Sequence, residues 1–143
     1  MSEGNGPETD LGVMLRSLRA TRRPGVWTYV TVNDPLDALE LLRHAEGVDA
    51  IIREDEGITV VIESDVAGRI GTFGTFRAAW LTLDVNSALE AVGLTAAVSQ
   101  ALAEVDIPCN VIAAHHHDHL LVPLDRVDDA LDAIAGLRSA AGA

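Results

Sequence analysis

The fold is decided by one stretch of the chain, Asp84-Val85-Asn86-Ser87-Ala88-Leu89-Glu90-Ala91-Val92-Gly93-Leu94-Thr95-Ala96-Ala97-Val98. Here a strand pattern passes through a polar loop and a glycine into a helix pattern. The start of a helix leaves several backbone N–H groups without partners and carries partial positive charge, so it can hold a small carboxylate. Gly93 would let the backbone come close to whatever binds. This junction therefore predicts a ligand-binding loop between a strand and a helix.

The sequence has an internal repeat. Trp27 and Asn33 bracket a strand pattern that leads into a helix pattern, and Trp80 and Asn86 bracket another at the same spacing. Two further strand patterns follow each helix pattern, at residues 48–53 and 58–62 and again at 107–114 and 119–124. We therefore predict an α+β fold of two tandem ferredoxin-like βαββ(α) units packed together. They would cover residues 9–74 and 75–140, after a disordered tail at residues 1–8.

Three features of the N-terminal unit can be predicted in more detail. Asp34 and Pro35 open a helix, whose buried face we expect at Leu36, Leu39 and Leu42. Residues 64–74 carry three glycines and little apolar periodicity, which indicates a linker with at most one helical turn. A first helix, from about Asp10 to Arg19, would then take the place of the missing closing helix of this unit.

The composition excludes several classes of protein. The formal net charge of −12 repels phosphate backbones and anionic lipids, so neither nucleic acid nor a membrane surface is an expected partner. No apolar run is long enough to cross a bilayer. A single cysteine, Cys109, cannot form an internal disulfide, and its strand-like flanks predict a buried, inert thiol. We expect a soluble cytoplasmic protein whose small halves pack on each other and on a second copy of the chain.

The loop after residue 85 has the groups that would recognise an α-amino acid. Asn86 and Ser87 can hydrogen-bond a ligand, Glu90 can meet an ammonium group, and free N–H groups from Gly93 to Thr95 suit a carboxylate. The alternative is ordinary turn chemistry, with Thr95 as a simple N-cap and Glu90 as a solvated side chain. We also expect Gly93→Val to block the pocket while leaving the fold intact.

A second cluster, His115-His116-His117-Asp118-His119, has residue types that bind zinc and related metals. His115, His117 and His119 would share one face of an extended strand, but Asp118 lies where the hairpin should turn, which breaks the alternation. His44 is the one other histidine in the sequence. The tip of a hairpin or a subunit contact is the competing interpretation.

Two motifs in the second half resemble those of a known family. One is Ser87-Ala88-Leu89-Glu90-Ala91-Val92-Gly93-Leu94-Thr95-Ala96-Ala97-Val98-Ser99, and the other is Cys109-Asn110-Val111-Ile112-Ala113-Ala114 leading to His117-Asp118-His119-Leu120-Leu121-Val122-Pro123. With them, the chain from Trp80 to Leu137 is similar to the carboxyl-terminal unit of the bacterial tandem ACT-domain proteins. That family usually has an aromatic residue ahead of His-Asp-His, where this chain has His115 and His116.

The resemblance implies paired ferredoxin-like units that dimerise through sheet edges or faces. It also implies an effector pocket between the loop after the first strand and a neighbouring unit, as in regulatory lobes that bind amino acids without transforming them. By position, the ligand-binding residues would be Asn86, Ser87, Leu89, Glu90, Ala91, Val92, Gly93, Leu94 and Thr95, with Asn110 and Ile112 on the second strand facing them.

These observations together predict a non-catalytic sensor. It would bind a free amino acid or related metabolite, need no cofactor or metal, and act as a regulatory homodimer through its own assembly. One alternative is a metal-binding protein or metalloenzyme that uses residues 115–119. The other is a purely structural interaction module whose pocket is vestigial.

Overall fold

Alternating apolar positions and acid-capped helices give a mixed α and β structure in the computed structural model, which describes residues 9–44, 46–85 and 87–143. The helices are α1 (Leu11–Ser17), α2 (Pro35–His44), α3 (Ser64–Arg69), α4 (Leu94–Glu104) and α5 (Val127–Ala141). The strands are β1 (Ala20–Val32), β2 (Val48–Glu54), β3 (Gly57–Glu63), β4 (Ala78–Leu83), β5 (Asn110–Ala113) and β6 (Asp118–Pro123). Within the described ranges, no helix is both long enough and apolar enough to span a membrane.

The order of these elements repeats. The first set is β1-α2-β2-β3-α3 and the second is β4-α4-β5-β6-α5. In the second set, a 3₁₀ turn at Leu124–Arg126 joins β6 to α5. Each set joins an antiparallel hairpin to helices. The predicted α+β class with two ferredoxin-like βαββ(α) units is therefore confirmed.

Acidic side chains cap two helix starts, and both helices begin close to where they were predicted. The Asp10 carboxylate accepts a hydrogen bond from the Val13 N–H at 2.9 Å, and the Asp34 carboxylate accepts one from the Leu36 N–H at 2.8 Å. Each bond satisfies a backbone donor that the helix itself leaves free. Helix α1 is shorter than expected, and β1 begins at Ala20, well before the strand pattern that starts at Trp27.

The chain forms two compact units that do not follow its halves. The central unit is residues 24–79, and the terminal unit joins residues 9–23 to residues 80–143. The sequence placed residues 9–23 in an N-terminal unit of residues 9–74, whereas in the structure α1 packs against α4 and α5. The physical reason is the burial of apolar surface, because Met14 and Leu18 are fully buried in the terminal unit.

In the central unit the strand order is β2-β3-β1. Strands β1 and β3 pair antiparallel from Trp27 opposite Glu63 to Val32 opposite Ile58. Side chains alternate across a sheet, so one face presents every second residue. That face forms the core against α2 and α3, and its buried members include Val30, Val60 and Ile62.

The predicted buried face of α2 is wrong. Leu36, Leu39 and Leu42 are 71%, 57% and 54% exposed, and the helix is instead anchored by Ala38, with Leu41 packed beside it. A small side chain at the contact lets the helix approach the sheet closely, and Leu41 lies on the same side one turn later. The three leucines therefore form an apolar stripe on the surface of this chain.

Residues 64–74 contain more structure than the predicted linker. Helix α3 covers Ser64–Arg69 and buries Val66 and Ala67 against the core of the central unit. It fills the closing position that the sequence assigned to the first helix. Six residues with a glycine among them are too few to show helical periodicity, so the sequence pattern gave no signal.

In the terminal unit the start of β1 lies beside β4, followed by β6 and β5. The Asp84 N–H donates to the Arg19 carbonyl at 2.8 Å, and the Thr21 hydroxyl donates to the Asp84 carboxylate. The β5–β6 hairpin pairs Asn110 with Leu121 and Ala113 with Asp118. Buried side chains from the strands and from all three helices form the core, among them Leu81, Leu83, Val98, Leu102, Leu120 and Ile134.

Candidate functional site

The candidate ligand loop runs from the end of β4 to the start of α4. Val85 is buried and anchors the loop to the core, and the Ala91 N–H donates to the Ala88 carbonyl at 2.9 Å, which closes a turn. Gly93 follows with φ +106°, a conformation that favours glycine. Asn86, the first predicted ligand residue, lies outside the described residues.

Helix α4 begins without a side-chain cap. Its N-cap is Gly93, and the first helical hydrogen bond runs from the Ala97 N–H to the Gly93 carbonyl at 2.9 Å. Glycine has no side chain to accept from the first-turn N–H groups, and the first turn contains no acidic residue. Thr95 is therefore an exposed residue inside the first turn and not the N-cap of the alternative interpretation. This helix end keeps its partial positive charge for an anion.

Leu11 of α1 lies directly against the loop. A Cβ built on Gly93 would lie 2.8 Å from Leu11 Cδ2 and 3.5 Å from Leu11 Cδ1. The expectation that Gly93→Val leaves the fold intact is therefore wrong, because the substitution is strained both by φ and by this contact. A test of the loop needs a substitution elsewhere.

The loop turns two apolar side chains outward. Leu89 is 66% exposed and Val92 is 81% exposed, with the exposed Glu90 between them. Ser87 and Ala88 are half-buried. The loop therefore exposes apolar surface and a carboxylate just before Gly93. The start of α4, which has no N-cap side chain, follows directly after Gly93.

The other two predicted ligand residues lie on β5. Asn110 donates its Nδ2 hydrogen to the Leu121 carbonyl at 3.5 Å, and Ile112 pairs with His119. In the sheet, β6 lies between β5 and β4, so two strand spacings, about 10 Å, separate β5 from the strand that leads into the loop. That Asn110 and Ile112 face the same ligand as the loop stays a prediction.

The histidine cluster is divided between different environments. His115 and His116 are exposed at the hairpin turn, with ring centroids 4.7 Å apart. His119 points elsewhere: its Nδ1 accepts from the Trp80 Nε1–H at 3.3 Å and lies 3.0 Å from the Thr82 hydroxyl. Within the described ranges, no group of three or more histidine, cysteine, aspartate or glutamate side chains could hold a metal ion. The cluster thus has the geometry of a hairpin tip.

Cys109 precedes β5 and is partly buried. Burial raises the pKa of its thiol, and a hydrogen bond with Ser99 offsets part of that rise. A thiol with a raised pKa forms less of the reactive thiolate at neutral pH. The environment therefore favours an inert side chain over a nucleophile.

A pocket in the central unit was not predicted from the sequence. It has a volume of about 510 Å³ and lies between α2 and α3. Its lining residues come from β1, from both helices and from the segment after α3: Val32, Asp37, Glu40, Leu41, Val66, Arg69, Ile70 and Thr72. The only sequence signal was the apolar pair at residues 66–67, which is too short to predict a helix.

Comparison with known proteins places this geometry in a family. Two models of the ACT domain match the chain, one over residues 6–79 and the other over residues 75–135. No curated protein matches the chain. A Vibrio cholerae protein of unknown function, described as a possible transport protein, is 36% identical in its solved structure, with a TM-score of 0.78 over 90% of this chain and 95% of that one.

More distant structures share the fold alone. An Agrobacterium tumefaciens protein is 18% identical, covers 85% of this chain and 89% of its own, and gives a TM-score of 0.61. The regulatory subunit of aspartate kinase from Thermus thermophilus is 12% identical, covers 82% of this chain and 95% of its own, and gives a TM-score of 0.60. These likenesses agree with the repeated βαββα order described above.

Proposed function

The chain belongs to the ACT-domain family, and on that premise we propose that it is a non-catalytic regulatory protein that binds a free amino acid or a related small metabolite. The ligand would lie at the β4–α4 loop, residues 86–95. Its carboxylate would accept hydrogen bonds from the first-turn N–H groups of α4. No step in this function requires a catalytic side chain, a metal or a cofactor.

One observation carries the proposal: α4 starts at a glycine with positive φ and has neither an N-cap side chain nor an acid in its first turn. Capped helices satisfy these donors internally, as Asp10 and Asp34 do for α1 and α2. At α4 the donors remain for solvent or for a bound anion. A carboxylate is the anion of an amino acid that fits such a site.

The remainder of the ligand would meet side chains of the loop. The exposed carboxylate of Glu90 is available to an ammonium group, and Leu89 and Val92 offer apolar contact. Asn110 and Ile112 lie two strands from β4. In this proposal, Asn110 and Ile112 contact the same ligand as the loop only when a neighbouring ACT unit from a second copy closes over the loop.

We propose a homodimer as the working assembly. The apolar stripe of α2, formed by Leu36, Leu39 and Leu42, is exposed on the single chain and would be covered by a second copy. A ligand that binds one arrangement of the copies better than another shifts the population toward it by its difference in affinity.

The single cysteine fits a reducing cytoplasm, and the net charge of −12 argues against nucleic acid or anionic membranes as partners.

A thermal-shift panel of the common amino acids tests the proposal. A true ligand at 100 times its Kd should add about 2.7 kcal/mol to the free energy of unfolding. That corresponds to a rise in Tm of roughly 5–10 °C for a chain of this size. A panel without any shift contradicts the proposal and favours the structural interaction module.

A matched pair of variants then locates the site. Thr95→Asp places a carboxylate in the exposed first turn of α4, where it should stabilise the helix by about 0.3–1 kcal/mol while competing with a bound carboxylate. Thr95→Asn has nearly the same size without the charge. The proposal expects lower ligand affinity in Thr95→Asp than in Thr95→Asn, and equal affinities would remove the helix start from the site.

A further inference from the structure

We propose that the central unit carries a second ligand site, the pocket between α2 and α3, and that this site takes a free amino acid with an apolar side chain. It belongs to the central unit, because all of its lining residues lie between positions 32 and 72, whereas the β4–α4 loop belongs to the terminal unit. The central unit would therefore bind its own ligand, whether or not the loop does.

The pocket is a feature of how two helices lie on one sheet. Helices α2 and α3 both contact β3, and Val32 of β1 and Val66 of α3 contribute to the lining between them. Ala38 and Ala67, both buried, provide the close helix contacts on either side. The volume of about 510 Å³ falls within the range of known small-molecule pockets.

Apolar side chains form the greater part of the wall. Val66 is buried, Val32 and Leu41 are half-buried, and Ile70 is exposed at the mouth. An exposed isoleucine beside a concave apolar wall costs free energy in water, and an apolar ligand group would cover it. This part of the pocket selects the side chain of the ligand.

Charges of opposite sign lie on the two helices that face the pocket. Asp37 and Glu40 lie one turn apart on α2, and Arg69 ends α3. The exposed Arg69 side chain has no hydrogen bond or ion pair among the residues that the structure describes. A guanidinium binds a carboxylate through paired hydrogen bonds, and a carboxylate such as that of Asp37 binds an ammonium group.

The combination of groups specifies a zwitterion. Glu40 is paired with Arg43 at 3.7 Å, so a purely anionic ligand would meet chiefly the Asp37 carboxylate, and a purely cationic ligand would meet Arg69. A molecule with one carboxylate, one ammonium group and an apolar body can pair with Arg69, with the acidic side of α2 and with the apolar side chains of the wall. The Thr72 hydroxyl, which also lines the pocket, can donate or accept one more hydrogen bond.

Calorimetric titration of the full chain tests this site. The probes are leucine, isoleucine, valine, methionine and phenylalanine, with 4-methylpentanoate and isopentylamine as analogues of leucine that each lack one charge. The zwitterions should bind, and each analogue should bind about tenfold to a hundredfold more weakly than leucine, because each loses one set of charged hydrogen bonds.

Two pocket variants and one control assign the binding to these residues. Arg69→Gln and Asp37→Asn should each weaken binding of the zwitterion by about tenfold to a hundredfold. Arg22→Gln changes an exposed arginine of the terminal unit and should leave the affinity unchanged. All three positions are exposed, so the variants are expected to fold, and an unchanged Tm without ligand checks this.

Two results would overturn the second site. One is the absence of binding by all five amino acids. The other is binding that Arg69→Gln and Asp37→Asn leave unchanged. If that binding is instead lost in Thr95→Asp, the ligand lies at the β4–α4 loop, and the function proposed above stands while the second site falls.

Discussion

Replacing Gly93 by alanine should destabilise the protein, and the cost can be divided into two parts. The backbone at Gly93 has φ +106°, and placing an L-residue in such a conformation costs roughly 1–2 kcal/mol. The new Cβ would also lie 2.8 Å from Leu11 Cδ2, the end of a flexible, half-buried side chain that can turn aside at a cost of about 1 kcal/mol or less. The sum is about 1–3 kcal/mol, most of it from the backbone.

A double-mutant cycle separates the two parts. Leu11→Ala removes the side chain that the new methyl group would meet and leaves the backbone of Gly93 as it is. In the Leu11→Ala background, Gly93→Ala should therefore cost less by up to about 1 kcal/mol. Urea denaturation followed by circular dichroism gives the four free energies of unfolding.

Gly71 provides the control for the backbone term. It has φ +77°, and apart from its own backbone and its chain neighbours no described atom lies within 4 Å of a Cβ built on it. Gly71→Ala should show the backbone cost alone and should not respond to Leu11→Ala. If Gly93→Ala costs well below about 1 kcal/mol, the positive φ at Gly93 is wrong. Equal costs with and without Leu11 would mean that the Leu11 side chain turns aside without strain.

Three further predictions follow from local geometry. Gly136→Ala should stabilise the protein by about 0.5–1 kcal/mol in urea denaturation, because the position lies inside α5 with nothing within 4 Å of the new methyl group. Gly74→Ala should destabilise it by about 3 kcal/mol or more by the same measurement, since a Cβ there would lie 2.5 Å from the Tyr29 carbonyl oxygen. Iodoacetamide should alkylate Cys109 more slowly at pH 8 in the folded protein than in urea, because the raised pKa lowers the thiolate fraction at that pH. Equal rates would contradict the buried environment.

The sequence predicted those parts of the fold that depend on neighbouring residues. Asp10 and Asp34 cap the helices that follow them, and the repeat marked by Trp27 and Trp80 identified both leading strands. Strand alternation and cap chemistry act within a few positions, so they can be read without knowing the tertiary structure. The family resemblance came from motifs of the same local kind.

The parts that failed depend on tertiary packing. The fit of Ala38 against the sheet decides which side of α2 is buried. Three leucines at helical spacing predicted the opposite side, and they are exposed. Helix α3 is too short to show a period, and the partner of α1 was set by burial of Met14 among distant residues. Neither feature leaves a pattern in the local sequence.

The candidate site divides in the same way. The glycine before α4 could be identified from the sequence, and glycine readily adopts the positive φ found there, but its role as the N-cap was not predicted. The contact of Leu11 with Gly93 could not, because the two residues are far apart in the chain. The α2–α3 pocket was missed for a related reason: Asp37 and Arg69 come together only through a helix that the sequence did not predict.

The terminal unit draws its residues from both ends of the chain, and this has a consequence for how the gene can be divided. A fragment starting near residue 75 would keep an intact family match but lose Met14 and Leu18, both fully buried in that unit. Its hydrophobic interior would be open to water on one side. If the two halves arose by duplication of one ancestral module, they have since become interdependent, and recombination can now transfer them only together.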